Sequence, residues 1–443
     1  MIKKYSYKMN TETDRTSQVS STTSRSNAAA WKWVPTLYFA EGFPYVLIVT
    51  ISVIMYKQLG LSNADAALYT GWLYLPWVIK PLWSPFVDLV RTKRWWVLTT
   101  QFILGAGLAG IAFIIPTSHF LQWTLAIFWL LAFSSATHDI SIDGFYMLGL
   151  DDSRQAFFAG IRNTAYRIAT IAGQGGLLLL VGFIEKRTGS SVRAWSIAFI
   201  VAGVLMLLLA FYHSFAMPHA ETSNSSTLTV RSLLRGFIDT FISYFRKPYI
   251  LRALLFILFF RLAEAQLTKI CPLFLLDSPE AGGLGLTTDQ VGFAQGTIGV
   301  IGLLAGGILG GAAISRGGLG KWLWPMVMAI SIPDIVYVIL SFLPTQNLWI
   351  ISSCIFIEQL GYGFGFTGYT LYMIYFSRGG QKTSHYAIST GIMALGMMLP
   401  GMFSGRLQQA MGYRSFFIWI MICCAVTFAV SALIRFDHNF GKK

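Results

Sequence analysis

Ionisable residues interrupt the long apolar stretches of this chain. They are Glu41, Asp139, Asp143, Arg162, Arg167, Arg261, Glu264, Lys269 and Glu358. A charge in the hydrocarbon interior of a bilayer costs at least about 2.5–3.5 kcal/mol, so such residues normally face a water-filled path or a partner of opposite charge. A chain with this many of them is suited to moving a polar solute across a membrane.

Two acids and two arginines lie in consecutive apolar stretches, the fourth and fifth along the chain. Asp139 and Asp143 are four residues apart and share a helix face, and the next helix carries Arg162 and Arg167. Because the two helices run in opposite directions, a rise of about 1.5 Å per residue puts Asp143 level with Arg162 and Asp139 level with Arg167. We predict these two pairs, which either hold the helices together or free a carboxylate for protonation.

A proton carrier is expected among these acids. A poorly hydrated site favours the neutral carboxyl group, whereas a neighbouring arginine favours the carboxylate. A site whose hydration alternates therefore loads and unloads a proton. Asp139 is the first candidate, followed by Glu41, Glu264 and Asp143. His138 either shares the proton or packs between helices with one hydrogen bond.

A second set of residues is predicted to bind the substrate. In the seventh stretch, Arg261 and Glu264 are three residues apart and either neutralise each other or face the solute. In the tenth, Glu358 precedes glycines that favour close helix packing or a flexible gate. The substrate-binding candidates are Arg167, Arg261, Glu358, Tyr38, Tyr362 and Tyr369, and Tyr45 and Trp72 are aromatic candidates of the same weight as the three tyrosines.

A gate is predicted between the second and third stretches. A proline-containing run begins there at Lys80 and ends at Asp88. The basic residues Arg91 and Arg94 follow it. An acid at a helix end followed by a basic cluster forms a salt-bridged latch, although an orientation signal also explains the basic residues. No metal-ligand spacing or nucleotide fingerprint occurs, and the four cysteines lie in apolar runs, so we expect no metal and no cofactor beyond a proton gradient.

These residues require a scaffold of membrane-spanning helices. Hydrophobic residues make up 55% and charged residues 12% of the 443 residues, about half the charged share of a soluble domain. A spanning helix needs about 20 mostly apolar residues. Twelve are predicted, at 33–56, 66–87, 95–115, 121–149, 155–184, 193–215, 249–275, 289–313, 321–343, 348–376, 384–409 and 414–435.

The predicted helices divide the chain into two bundles of six. A disordered tail at 1–32 precedes the first bundle (33–215), a linker with an amphipathic surface helix follows at 216–248, and a second bundle (249–436) ends in a short tail at 437–443. The net charge of +14 lies in the tails and in the loops on their side, while the opposite loops hold only Lys57, Lys186, Arg187, Arg193 and Arg414. This distribution predicts cytoplasmic termini and does not indicate nucleic-acid binding.

The motifs resemble those of the AmpG-like permeases, a family of the major facilitator superfamily. Lys80 through Asp88, continuing to Trp96 and Thr99-Thr100-Gln101, is similar to that family's signature between helices 2 and 3. Further similarities lie at Asp139-Ile140 with Asp143, at Tyr166-Arg167, at Arg261 through Ala265, at Glu358 with its glycines, at His385-Tyr386-Ala387 and at Gly401 through Gly405. The chain departs from the family pattern at Glu41, where a small residue is expected.

The resemblance implies a major facilitator fold and a proton-driven importer of muropeptides in a bacterial inner membrane. The alternatives are an importer of another sugar, an oligosaccharide or an acyl-CoA-like anion. A weaker one is an intramembrane acyltransferase that uses His138 and Asp139 as a base pair. A channel is disfavoured because no pore-loop motif is present.

Overall fold

The computed structural model describes residues 29–150, 152–218, 230–379 and 382–442, and in these ranges helices are joined by short irregular segments with no strand. Most of the predicted disordered tail and the polar part of the linker lie outside the described residues. The all-helical prediction is confirmed for the rest.

The first half of the bundle contains α1 to α6. Helix α1 consists of Val34–Val46, a π-helical turn Leu47–Ile51 and Ser52–Gln58, and α2 consists of Asn63–Trp72, Leu75–Ile79, a 3-10 turn Lys80–Leu82 and Ser84–Leu89. The others are α3 (Lys93–Ile114), α4 (Phe120–Gly149), α5 (Asp152–Ile171, a π-helical turn Ala172–Leu177 and Leu178–Thr188) and α6 (Ser191–Ala216). Helix α2 is broken into short pieces, and a proline is the second residue of each of the last three. In the first turn of a helix the missing N–H and fixed φ of proline are tolerated.

A linker helix, Val230–Phe245, leads to the second half. Helix α7 consists of Ile250–Phe259 and Leu262–Leu276, α8 begins with Thr288–Val291 and a π-helical stretch Gly292–Gly299, and α10 is Leu348–Phe376. The long helix Val300–Ser331 is divided at Gly318 (φ 74°) into the remainder of α8 and the start of α9, which ends with Ile332–Asp334 and Ile335–Phe342. Likewise Gly412 (φ 74°) divides Lys382–Leu433 into α11 and α12, because glycine adopts the left-handed conformation without steric cost.

Eight helical stretches in the described ranges are long and apolar enough to cross a membrane. Two of them, Thr288–Phe342 and Ser384–Leu433, each contain one of the glycine breaks and so supply two spans. Helices α2 and α7 are too interrupted to qualify by continuous length. The arrangement is consistent with the twelve predicted spans.

Glycines set the distance between α10 and its neighbours. A Cβ atom on Gly306 of α8 would lie 2.0 Å from the carbonyl oxygen of Leu360, and one on Gly363 of α10 would lie 2.2 Å from that of Leu303. Only glycine permits two helix backbones to approach this closely. Gly363 therefore packs α10 against α8, whereas Gly361 and Gly365 pack it against α9, where a Cβ atom would lie 2.1 Å from the Ala329 carbonyl oxygen and 2.5 Å from that of Met326.

The two halves meet firmly at one end of the bundle. Lys57 of α1 pairs with Asp277, which follows α7, at 2.6 Å. Asp277 also accepts hydrogen bonds from Asn63 (3.0 Å) and Tyr413 (2.6 Å). We call this the opposite end, and the end that carries the start of α1 and residues 434–442 the terminal end. The linker helix lies at the terminal end, where the hydroxyl groups of Tyr244 and Ser389 of α11 are 2.9 Å apart.

Candidate functional site

A cavity of about 340 Å³ lies between the two halves. Its wall in the first half comes from α1, α2 and α5, and in the second half from α7 to α11. The polar lining residues are Tyr45, Thr50, Tyr74, Tyr166, Arg167, Thr170, Gln174, Arg261, Glu264, Thr268, Gln295, Tyr337, Glu358, Gln359 and Tyr362. Its size is at the lower end of small-molecule sites.

Irregular helix segments line this cavity. The π-helical stretches of α1, α5 and α8 supply Thr50, Gln174 and Gln295. Helix α7 is interrupted before Leu262, so Arg261 has φ −104° and ψ 25° and caps the second part of the helix. π-Helical turns and interrupted helices occur frequently at functional sites, because they free backbone groups and redirect side chains.

The two arginines of the cavity come from opposite halves and have unused hydrogen-bond donors. Arg261 donates to the Tyr362 hydroxyl, and its guanidinium lies 4.9 Å from the ring centre of Phe366, while its buried Nε has no partner among the described residues. Arg167 makes no hydrogen bond or ion pair within the described ranges. Both side chains are thus available to an anionic group in the cavity.

The two acids of the cavity bind neutral groups. Glu264 accepts a hydrogen bond from Thr268 (3.1 Å), and no ion pair within 4 Å joins it to Arg261 in the described part of the chain. The two charges still attract each other through space, so both alternatives, mutual neutralisation and contact with the solute, stay predictions. Glu358 is buried and accepts bonds from Tyr337 (3.2 Å) and from its neighbour Gln359 (2.9 Å).

Of the two predicted acid–arginine pairs, one is present. Arg162 and Asp143 are 3.0 Å apart, and Tyr38 also donates to Asp143 (3.1 Å). The pair Asp139–Arg167 is wrong. Asp139 instead accepts a bond from Trp77 (2.8 Å) and lies 3.9 Å from Lys80, because the break in α2 turns both side chains towards α4.

Other predicted residues lie outside the cavity lining. Tyr38 is bound to Asp143, Tyr369 is buried and donates to the Ile257 carbonyl (2.7 Å), and Trp72 is exposed, so none of the three fits the predicted ligand contact. His138 is fully buried, and neither ring nitrogen has a partner among the described residues. One carboxylate oxygen of Glu41 is likewise buried and unpartnered in these ranges.

The residues of the predicted gate contact their own half. Lys80 approaches Asp139, Arg94 donates to the carbonyl oxygens of Ser214 and Met217, and the Arg91 guanidinium lies 6.0 Å from the Trp95 ring centre. The side chain of Asp88 lies outside the described residues. The latch stays a prediction.

Lys269 joins the halves beside the cavity. Its Nζ donates to the Val49 carbonyl in the π-helical turn of α1 (3.2 Å) and to Thr70 of α2 (3.1 Å). Within the described ranges no carboxylate pairs with it. The sequence marked this lysine as unusual without indicating these contacts.

Three further features escaped the sequence analysis. Asp334, which ends the 3-10 turn of α9, is a buried acid only 3% exposed. Asp277 organises the opposite end, and Gln174 and Gln295 line the cavity. Asp334, Gln174 and Gln295 are each a lone acid or amide in an apolar run, which was a signal in the sequence. Within the described ranges, no three His, Cys, Asp or Glu side chains group closely enough to hold a metal ion.

A cavity between two halves of an interrupted helical bundle is the arrangement of a secondary transporter. The family model described as Major Facilitator Superfamily matches residues 36–399. The chain belongs to the major facilitator superfamily. It is a multi-pass membrane transporter for a small molecule and not an enzyme.

Relatives within the major facilitator superfamily confirm the resemblance to the AmpG-like permeases. The anhydromuropeptide permease of Escherichia coli K12 is 24% identical over 411 residues, which cover 90% of this chain and 77% of the relative. The AmpG 4 transporter of Rickettsia conorii is 23% identical over 396 residues, covering 87% and 92%.

Solved structures of the superfamily share the fold. A D-xylose–proton symporter superposes with a TM-score of 0.69 at 12% identity, covering 93% of this chain and 98% of that one. The nucleoside transporter NupG superposes with a TM-score of 0.68 at 14% identity, covering 91% and 99%. At these identities the likeness concerns the fold alone.

Proposed function

We propose that this chain is a proton-coupled importer of muropeptides or related amino-sugar conjugates. The observation that carries the proposal is the pair Arg167 and Arg261, which come from opposite halves and face one cavity with unused donors. Peptide-bearing sugar fragments have free carboxylates that such guanidinium groups bind. The relative named anhydromuropeptide permease supports this substrate class.

Binding across the two halves supplies a reason for alternating access. An anion held by Arg167 and Arg261 together draws α5 towards α7. A ligand can shift a conformational equilibrium only by its difference in affinity for the two states. A substrate that bridges Arg167 and Arg261 has a different affinity for the two states, because both arginines reach it at only one separation of the halves.

Coupling to protons is assigned to the carboxyl groups of the first half, with Asp139 foremost and Glu41 and Asp143 on the path. Asp143 keeps 46% of its side chain exposed, whereas Asp139 is buried. The first half therefore offers a proton one acceptor in contact with solvent, Asp143, and one that is enclosed, Asp139. Glu264 and His138 stay candidates for the same task. The trigger is the changing hydration of these groups as the halves move.

We further propose that the terminal end faces the cytoplasm of a bacterium and that the protein lies in its inner membrane. The excess of Lys and Arg on that side supports the orientation. A green fluorescent protein fused to the C-terminus should fluoresce, whereas alkaline phosphatase at the same site should be inactive. The opposite result would reverse the orientation.

The decisive experiment is uptake of radiolabelled anhydromuropeptide into proteoliposomes, with and without an inward proton gradient. The wild type should accumulate the label only with the gradient, and Asp139→Asn should lose this dependence. Uptake that ignores the gradient would contradict proton coupling. Absence of uptake of the labelled compound would discard the muropeptide as substrate. Oligosaccharide and acyl-CoA are tested in parallel as the alternative ligands.

A further inference from the structure

The second half contains two buried carboxyl groups without a cation. Glu358 of α10 is 2% exposed and Asp334 of α9 is 3% exposed. Asp334 and Tyr337 are three residues apart on α9 and share a face, and the Tyr337 hydroxyl donates to Glu358 at 3.2 Å. The thiol of Cys424 on α12 lies 3.6 Å from Asp334. The charges of the two acids are close enough to interact.

The groups bonded to this pair are neutral, and the acid Glu264 interacts with both of its members. From the helices packed around the pair, the facing groups are Glu264 and Cys271 on α7, Gln295 on α8, Tyr337 on α9, Gln359 on α10 and Cys424 on α12. Arg167 and Arg261 line the same cavity as Glu358, but within the described ranges neither forms an ion pair with it. No ion pair in the described part of the chain involves Asp334 or Glu358. An ionised carboxylate taken from water without a counter-ion is strongly disfavoured, and two adjacent ones more so.

We propose that Glu358 and Asp334 form a proton-binding site of the second half, in which both are neutral carboxylic acids while the opposite end is closed. Glu358 lines the cavity and exchanges its proton with cavity water, whereas Asp334 is buried and is not part of the lining. Transfer of the Glu358 proton to water leaves a carboxylate that accepts the bonds of Tyr337 and Gln359. This deepens the proposed function, because it assigns Glu358 to proton binding instead of ligand contact and adds a second site to that of Asp139.

The test is infrared spectroscopy of the purified full-length protein at neutral pH, which detects the carbonyl stretch of protonated carboxyl groups and needs no substrate. Glu358→Gln and Asp334→Asn should each remove one such band. On transfer to heavy water, the Glu358 band should shift before the Asp334 band. The matched control is Glu280→Gln, which should leave the region unchanged. Glu280 is exposed at the opposite end, where the Ser278 hydroxyl holds the pKa of this carboxyl below its usual range.

Tyr337→Phe provides a second variant that keeps both acids. It removes one hydrogen bond from Glu358, so the Glu358 band should move to higher wavenumber while the Asp334 band stays. Loss of neither band, or of only one, in the two acid variants would overturn the two-carboxyl site. Because no transport is measured, failure of muropeptide uptake in the proteoliposome assay does not affect this result.

Discussion

At the scale of single residues, the two arginines of the cavity are held differently. Arg261 is fixed by the Tyr362 hydroxyl and by the face of Phe366. Arg167 has no comparable contact within the described ranges. A planar guanidinium that is already positioned loses less freedom when it binds a carboxylate. Arg261 should therefore determine the orientation of the ligand, and Arg167 should mainly add charge.

The first prediction concerns Arg261. Arg261→Lys keeps the charge but loses the stacked, forked geometry, and it should weaken ligand affinity about 10-fold, whereas Arg261→Gln should weaken it about 10- to 100-fold. The measurement is the concentration dependence of substrate counterflow in proteoliposomes. Arg193→Gln, an exposed arginine of α6, is the control and should leave the affinity unchanged. Equal affinity of Arg261→Gln and the wild type would remove Arg261 from the ligand site.

The second prediction concerns Asp143. Its pair with Arg162 is partly exposed, with 46% and 31% of the side chains accessible, so solvent screens the interaction. Asp143→Asn should lower the free energy of unfolding by less than about 1 kcal/mol, as measured by reversible unfolding in detergent. A loss several times larger would assign Asp143 to holding α4 and α5 together and would weaken its place on the proton path.

At the scale of helices, the positions of breaks decide which side chains meet. Depth along two helices was readable from the sequence, so the pair Asp143–Arg162 was predictable. The pair Lys80–Asp139 was not, because it depends on how the proline-rich break rotates α2. Asp334 is visible in the sequence as a lone acid in an apolar run, but its position near Glu358 is not, because it depends on how α9 and α10 pack together.

The third prediction tests the glycine contact of α8 with α10. Gly306→Ala places a Cβ atom 2.0 Å from the Leu360 carbonyl oxygen, so the helices must separate, at a cost of about 1–3 kcal/mol. Gly311→Ala lies on the same helix, where a Cβ atom meets nothing within 4 Å, and should be neutral or slightly stabilising. Thermal unfolding in detergent compares the two. Equal midpoints would show that α8 and α10 are not in tight contact.

At the scale of the whole molecule, polar contacts between the halves gather at the opposite end. Lys57 and Asn63 reach Asp277, and Lys186 of α5 pairs with Asp289 at 2.7 Å. The fold of two six-helix halves was predictable from hydropathy and loop charge, because each span is a local signal. The closure of the opposite end could not be predicted from the sequence. The residues that form it are up to 350 positions apart, and they meet in only one state of a transporter that moves.

The last prediction concerns this closure. Asp277→Asn removes the ion pair with Lys57 and weakens the bonds from Asn63 and Tyr413, so the population open at the opposite end should rise about 10- to 100-fold. Hydrogen–deuterium exchange should then speed up around residues 57–65 and 277–287. Asp65→Asn is the matched control, because within the described part of the chain Asp65 forms side-chain hydrogen bonds to Ser62 of its own half and to no residue of the other half. Unchanged exchange in Asp277→Asn would mean that apolar packing, rather than this polar cluster, closes the opposite end. The predicted increase would identify the cluster as the element that substrate and protons must release for the transporter to turn over.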